Sequence, residues 1–92
     1  MNYEHMQANL RAIYNAKNKD YGDSASETFD KYGDVSYLTR LSDKMNRLNS
    51  LIVQANHSEG LVKDESILDT IMDLANYAIL YAVDYTNRAE EE

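Results

Sequence analysis

The fold of this chain is decided by residues 65–77, which read ESILDTIMDLANY. At 3.6 residues per turn, the oxygen-bearing side chains of this stretch share one helix face. They are Glu65, Asp69, Asp73 and Asn76. Apolar residues take much of the remaining circumference, which predicts a buried helix whose acidic stripe faces a cleft. Because carboxylates four residues apart repel each other by a few tenths of a kcal/mol, the stripe indicates a divalent cation or a basic partner.

The composition indicates one small acidic domain over residues 1–92. The net charge of −7 argues against nonspecific nucleic-acid binding, which needs clustered lysine and arginine. The absence of cysteine excludes disulfides and thiolate metal sites in this sequence. No apolar run approaches the roughly 18 residues of a membrane span, and the N-terminus lacks the apolar region of a signal peptide. We therefore expect a cytoplasmic protein that binds no membrane.

Hydrophobic periodicity predicts an all-α bundle of three long helices and one short one, with no strand. The first long helix is predicted over about 3–17 and the third over about 64–88. The second is expected to be capped by Asp34 or Ser36. The acidic tail, residues 89–92, is expected to fray.

The short helix and the face of the second long helix follow from local patterns. Ser24 and Glu27 form a capping-box pattern that is predicted to open the short helix, and Gly33 is predicted to close it. The second long helix then shows an apolar stripe at spacings of three and four residues: Leu38, Leu41, Met45, Leu48 and Ile52.

The length of the third helix predicts a homo-oligomer, either a dimer or a tetramer. A helix of roughly 25 residues spans about 37 Å, which is longer than the core of a 92-residue protomer. The alternative is an end that extends into water, but exposed tyrosines beside so many aliphatic residues are unfavourable. The residues expected to pack on another copy are Ile79, Leu80, Tyr81, Val83 and Tyr85.

The acidic stripe is the first candidate for chemistry. The carboxylates of Glu65, Asp69 and Asp73 are hard ligands suited to Mg²⁺ or Mn²⁺, which would in turn bind phosphate oxygens. Asp43 on the preceding helix is a further candidate ligand. The alternatives stay open: a solvated acidic face, with Glu65 as a favourable charge in the first turn of its helix, and a simple ion pair between Asp43 and Arg47.

Basic and aromatic residues nearby are candidates for nucleotide binding. Lys44 and Arg47 are suited to bind phosphate. In the loop after the first helix, Lys17 and Lys19 would reach a phosphate and Tyr21 would stack on a base. The alternative for this loop is a turn that only ends the helix.

Three ordered segments carry a resemblance to a known family. They read KNKDYGDS at 17–24, RLSDKMNRL at 40–48 and DESILDTIMDLANY at 64–77. Together they resemble the first nucleotide-modification-associated domain family, small proteins common in phages, over roughly residues 10–85. That family is thought to be related to the MazG-like all-α nucleoside triphosphate pyrophosphohydrolases. The relation implies an oligomeric helical bundle in which acidic residues of two helices hold Mg²⁺ against a nucleoside triphosphate, and water attack releases pyrophosphate.

Carried over by position, Glu65 and Asp69 match the acidic catalytic pair of that superfamily, and Asp73 lies one turn beyond. Asn76 lies on the same face and joins the expected nucleotide contacts. The earlier helix departs from the pattern, because Asp43 followed by Lys44 stands where the superfamily has a Glu-Glu-x-x-Glu block.

The sequence therefore predicts a Mg²⁺-dependent nucleotide pyrophosphohydrolase in the cytoplasm, that of a bacterial host if a phage encodes it. Two alternatives stay open. One is a noncatalytic phage protein that binds or sequesters a nucleotide, and the other is a structural helical module without a small ligand.

Overall fold

The computed structural model describes residues 1–17, 23–57 and 64–91, with the side chains of 55–57, 64 and 65 excepted. Four helices make up these ranges: α1 at Tyr3–Ala16, α2 at Ser24–Tyr32, α3 at Asp34–His57 and α4 at Asp64–Glu91. No strand occurs in the described ranges, so the predicted all-α bundle is confirmed. With 28 residues, α4 ends three residues later than predicted and includes Ala89 to Glu91 of the acidic tail.

Local hydrogen bonds set the ends of α1. The Asn2 side chain accepts a hydrogen bond from the His5 backbone N–H at 2.9 Å, so it caps the first turn. At the other end, the Lys17 N–H donates to the carbonyl of Ile13 at 3.0 Å. No residue of α1 is buried, and Leu10 and Ile13 are half-buried. The helix is therefore a peripheral element of the bundle.

The corner between α2 and α3 depends on Gly33. Its φ of 73° is in the left-handed region that side chains with a Cβ avoid, and its N–H donates to the Phe29 carbonyl at 2.7 Å. The prediction that Gly33 ends the short helix is confirmed. A substitution there is strained by the backbone angle alone, because no atom lies within 4 Å of the position of an added Cβ.

The predicted capping box at the start of α2 is wrong. Ser24 is the first residue inside the helix, and the preceding Asp23 has a helical conformation without a side-chain cap hydrogen bond. The carbonyl of Ser24 instead accepts a hydrogen bond from the Thr28 hydroxyl at 2.8 Å. The Ser-x-x-Glu pattern failed because the chain is already helical at the residue where a cap needs an extended backbone.

An aromatic cluster joins α2, α3 and α4. The ring of Tyr37, which is fully buried, stacks on Tyr81 with 4.9 Å between centroids and meets Phe29 at 5.6 Å. Ala25 and Leu80 complete the buried part of this cluster. The structure thus places Leu80 in the core of its own protomer and packs the half-buried Tyr81 against it, while the expected oligomer stays a prediction.

Two carboxylates anchor hydroxyl groups at this cluster. Asp84 accepts hydrogen bonds from the Tyr37 hydroxyl at 2.5 Å and from the Ser26 hydroxyl at 3.0 and 3.1 Å. Asp34, the first residue of α3, accepts from the Tyr81 hydroxyl at 2.7 Å and from Arg88 at 3.1 Å. The Tyr81 hydrogen bond and Arg88 lower the pKa of Asp34.

Large apolar side chains remain on the surface of the protomer. On α3, Leu38, Met45 and Ile52 of the predicted stripe are exposed. The exposed large apolar side chains of α4 are Leu68, Ile71, Ile79, Val83 and Tyr85. The radius of gyration is 15.0 Å, against about 12 Å for a compact chain of this length. These faces are available for burial by another molecule.

One described stretch, Ser66–Glu91, is long and apolar enough to cross a membrane by length and composition, since an 18-residue window within it has a mean hydropathy of 1.2 and 22% of that window is buried. Core helices of soluble bundles have the same length and composition. This stretch also contains Asp84 and Arg88, whose charged groups contact α2 and α3. The expectation that the chain binds no membrane stays a prediction.

We expect Ile71→Glu to reduce the mass of the protein in solution to that of a monomer, as measured by light scattering after size exclusion. Ile71 is 42% exposed in the protomer, so the charge should affect an interface on α4 more than folding. The matched control is Asn46→Glu, at an exposed polar position of α3. A monomeric wild type at micromolar concentration would contradict the expected oligomer.

We expect Tyr37→Phe to lower the free energy of unfolding by about 1.5 to 3 kcal/mol, because it removes a hydrogen bond to a charged group. Tyr32→Phe is the control, since Tyr32 is 70% exposed, and should change stability little. Denaturant unfolding measures both. An equal effect of the two substitutions would show that the hydrogen bond from the Tyr37 hydroxyl to Asp84 contributes nothing to stability.

Because of the Tyr37 hydroxyl, we also expect the stability of the protein to depend on pH in the alkaline range. Burial and the hydrogen bond to Asp84 raise the pKa of Tyr37 above its usual range. A group with a raised pKa stabilises the fold fully below the unfolded pKa, about 10 for tyrosine, and loses this contribution as pH rises further. The stability difference between wild type and Tyr37→Phe should be constant below that pH and shrink above it.

Candidate functional site

Charged side chains of three helices meet at Asp73 in the middle of α4. The Lys44 ammonium of α3 lies 3.4 Å from Asp73 Oδ2, and the Lys17 ammonium lies 4.0 Å from Oδ1. Lys17 is the C-cap residue of α1, so its position follows from where that helix ends. The structure thereby brings together three of the predicted site residues. Two cations share one carboxylate within a protein whose net charge is −7.

The ion pair between Lys44 and Asp73 is partly shielded from water. The side chain of Lys44 is 29% exposed and that of Asp73 is 20% exposed. Shielding strengthens the attraction relative to a fully exposed pair, which is worth about 0.2 to 1 kcal/mol. The ammonium is therefore held in place by a neighbouring helix before any ligand binds.

A second layer of the same interface lies one helical turn away. The Arg40 guanidinium lies 5.5 Å from the centre of the Tyr77 ring, in a cation–π contact, and one of its nitrogens is 3.5 Å from the Thr28 hydroxyl. Arg40 and Tyr77 lie in the segments that resemble the family, but they were not predicted as site residues. The signal was present, because Arg40 precedes Lys44 by four residues and Tyr77 follows Asp73 by four.

Asn76 connects α4 to α1. Its side chain is 4% exposed, and its Nδ2 donates to the Leu10 carbonyl at 3.3 Å. This contact uses the amide group to satisfy a backbone carbonyl of a peripheral helix. The structure therefore shows Asn76 as the residue that positions α1, while its expected contact with a nucleotide stays a prediction.

Two other expected ligands of a metal ion lie on the surface of the bundle. Asp69 on α4 and Asp43 on α3 are both exposed. Among the residues whose side chains are described, no three histidine or acidic groups lie close enough together to hold a metal ion. The side chain of Glu65 lies outside those residues, so the predicted set of four carboxylates remains a prediction.

Arg47 is exposed on α3, close in sequence to Lys44. Within the described ranges, no ion pair joins Arg47 to Asp43, although the two residues are one turn apart. The simple intrahelical pair, one of the two interpretations of this spacing, is thus not formed. The expected phosphate contact of Lys19 and the expected base contact of Tyr21 lie outside the described residues.

A cleft of about 380 Å³ lies between α1 and α4, next to the charged site. Its lining includes Gln7, Leu10, Arg11, Asn76, Ile79 and Val83. Because Asn76 borders the cleft and Asp73 lies one turn earlier on α4, the cleft and the charged site are adjacent. The sequence analysis predicted a cleft at the acidic stripe of α4, but no local pattern predicts this cleft beside α1, since it depends on how α1 is docked.

Residues 17–84 match the sequence family described as Nucleotide modification associated domain 1. The chain belongs to this family. The matched range contains Lys17, Lys44 and Asp73, so the charged site lies inside the family domain. No curated protein and no solved structure matches the chain. Membership of the nucleotide modification associated domain 1 family confirms the resemblance at the level of the family, and the further relation to MazG-like enzymes stays a proposal.

We expect Mg²⁺ to raise the melting temperature of the wild type and to leave that of Asp69→Ala unchanged, as measured by thermal unfolding with and without the ion. Without Mg²⁺, Asp69→Ala should be as stable as the wild type or more so, since alanine is the better helix former and the repulsion from Asp73 is removed. Asp30→Ala, at an exposed acidic position of α2, is the control. If Mg²⁺ shifts the melting temperature of none of the three proteins, the carboxylates of the stripe do not bind the ion.

Proposed function

We propose that this protein binds the phosphates of a nucleoside triphosphate or a related nucleotide where α1, α3 and α4 meet, and that it acts as a Mg²⁺-dependent pyrophosphohydrolase. The observation that carries the proposal is the convergence of the Lys44 and Lys17 ammonium groups on Asp73. Membership of a nucleotide-associated family supports a nucleotide as the ligand.

Lys17 and Lys44 are suited to bind phosphate because the helical bundle holds their positive charges close together. Asp73 holds Lys44 in place in the free protein, which lowers the entropy lost when the ammonium binds a ligand. A phosphate oxygen would take up part of the hydrogen-bonding capacity of each ammonium, whose three N–H groups are not all used by one carboxylate.

Arg47 extends the cationic surface of α3. Its side chain is exposed, and it is not held by Asp43, so its guanidinium is available to bind two oxygens of one phosphate. Arg47 and Lys44 are three residues apart and share a side of the helix. Together they would offset the repulsion between a polyphosphate and a protein of charge −7.

The donor chemistry fits a hydrated Mg²⁺ ion. Asp69 and Asp73 occupy successive turns of α4, and carboxylates with water are the ligands that Mg²⁺ prefers. We propose that Glu65 and Asp43 add to this set, with Glu65 and Asp69 as the catalytic carboxylates. When bound, the ion would neutralise charge on the phosphates. Hydrolysis would add water oxygen to the α-phosphorus and break its bond to the bridging oxygen, giving a nucleoside monophosphate and pyrophosphate.

A second candidate is a noncatalytic protein that binds or sequesters a nucleotide. The observation that favours it is that Asp73, the most shielded of the described candidate ligands, is already paired with lysine. Asp43 is also the only acidic residue at this part of α3. A metal ion held between α3 and α4 needs several carboxylates on α3. Binding without hydrolysis needs only the cations.

A screen of ribonucleoside and deoxyribonucleoside triphosphates with Mg²⁺ or Mn²⁺ tests the proposal and separates its two forms. Release of pyrophosphate, with the monophosphate as the other product, supports the enzyme. A raised melting temperature without turnover supports the binding protein. If neither is found with any nucleotide, the proposed function is wrong and the structural module is favoured.

We expect Lys44→Gln and Arg47→Ala each to weaken binding of the best nucleotide by about 1.5 to 3 kcal/mol, the worth of a hydrogen bond between charged groups. Calorimetric titration measures this loss. Lys31→Gln is the control, since Lys31 is an exposed lysine at the end of α2. Unchanged affinity for Arg47→Ala together with lost stability would show that Arg47 has a structural role only.

A further inference from the structure

The cleft between α1 and α4 has a definite position relative to the two lysines. Lys17 of α1 meets Asp73 of α4, and seven residues earlier in α1 the carbonyl of Leu10 meets Asn76. The two helices therefore run in opposite directions, with the cations at one end of their contact and the cleft toward the other. From Asp73 to Val83, α4 rises by about 15 Å.

This spacing suits a nucleotide whose phosphates lie at the lysines. The base of a nucleoside triphosphate is separated from its outer phosphates by the sugar and the α-phosphate, an offset of the same order as two to three helical turns. A ligand that lies along α4 with its phosphates at Lys44 would bring its base to the level of Leu80 and Val83, which line the cleft. The cleft begins about one turn along α4 from the charged site, because Asn76 lines the cleft and Asp73 precedes it by three residues.

The chemistry of the lining also suits a base. Leu10, Ile79 and Val83 supply apolar walls, and Gln7 and Arg11 carry hydrogen-bonding groups at the same cleft. A base has apolar faces and a polar edge, so it needs both kinds of contact. The volume of about 380 Å³ is at the lower end of the range for sites that bind small molecules.

We propose that this cleft binds the base and sugar of the nucleotide whose phosphates lie at Lys17 and Lys44. The proposal rests on the proposed function and adds the part of the site that distinguishes a nucleotide from inorganic polyphosphate. The apolar walls contact the faces of the base, and Gln7 and Arg11 form hydrogen bonds with its polar edge. Asn76 holds α1 against α4 and thereby sets the width of the cleft.

The test compares inorganic tripolyphosphate with dATP, dGTP, dCTP and dTTP by calorimetric titration. We expect at least one nucleotide to bind the wild type more tightly than tripolyphosphate. Val83→Trp, which fills the cleft from an exposed position, should reduce this advantage by about tenfold or more, the scale of a lost base contact. Affinity for tripolyphosphate should stay within about twofold, because the lysines are unchanged.

Two further variants make the outcome specific to the cleft. Leu68→Trp is the matched control, with an added indole at an exposed apolar position of α4 that does not line the cleft. It should leave both affinities unchanged. Arg11→Ala removes a polar group of the lining from an exposed position and should reduce the nucleotide advantage without filling the cleft.

Each contrary result has its own meaning. Equal affinity of tripolyphosphate and all four nucleotides for the wild type overturns the cleft proposal and leaves the phosphate site standing. Failure of all five ligands to bind overturns the proposed function itself. A reduced molecular mass of Val83→Trp with unchanged nucleotide affinity would show that the cleft is filled by a second copy of the chain, which also overturns the proposal.

Discussion

The carboxylate of Asp84 sets the register of the bundle. It is the shared acceptor for the hydroxyl groups of Tyr37 on α3 and Ser26 on α2, so three helices meet at one charged group. A carboxylate that is partly removed from water, as Asp84 is, costs free energy unless its oxygens accept hydrogen bonds, and a shift of α3 by one turn would remove the Tyr37 donor. The relative positions of α3 and α4 follow from this requirement.

The charged site depends on that register. Toward the start of α4, Tyr77 lies seven residues before Asp84 and Asp73 lies eleven residues before it, and these two residues meet Arg40 and Lys44 of α3 in order. Because the two helices are antiparallel, the contact between Tyr37 and Asp84 fixes which residues of α3 lie opposite Tyr77 and Asp73. A contact that stabilises the fold at one end therefore positions the candidate phosphate ligands at the other.

The two inward carboxylates of α4 differ in what surrounds them. Asp84 is bound by the neutral hydroxyls of Tyr37 and Ser26, which suits a permanent structural contact. Asp73 is paired with the ammonium groups of Lys44 and Lys17, which are flexible side chains able to bind a competing anion. This contrast is the reason for assigning a binding role to Asp73 and a folding role to Asp84.

The sequence alone determined the helices, because a helix is built from hydrogen bonds between residues four apart and its apolar periodicity is local. The helical class and the end of α2 at Gly33 were predictable in this way, and the family was recognised from the resemblance of three ordered segments. Only the tertiary structure showed that Leu80 belongs to the protomer core with Tyr81 packed against it, that Tyr37 binds Asp84 and that Asn76 docks α1. These contacts join residues 47 to 66 positions apart, and they depend on the rotation and register of whole helices, which no local pattern specifies.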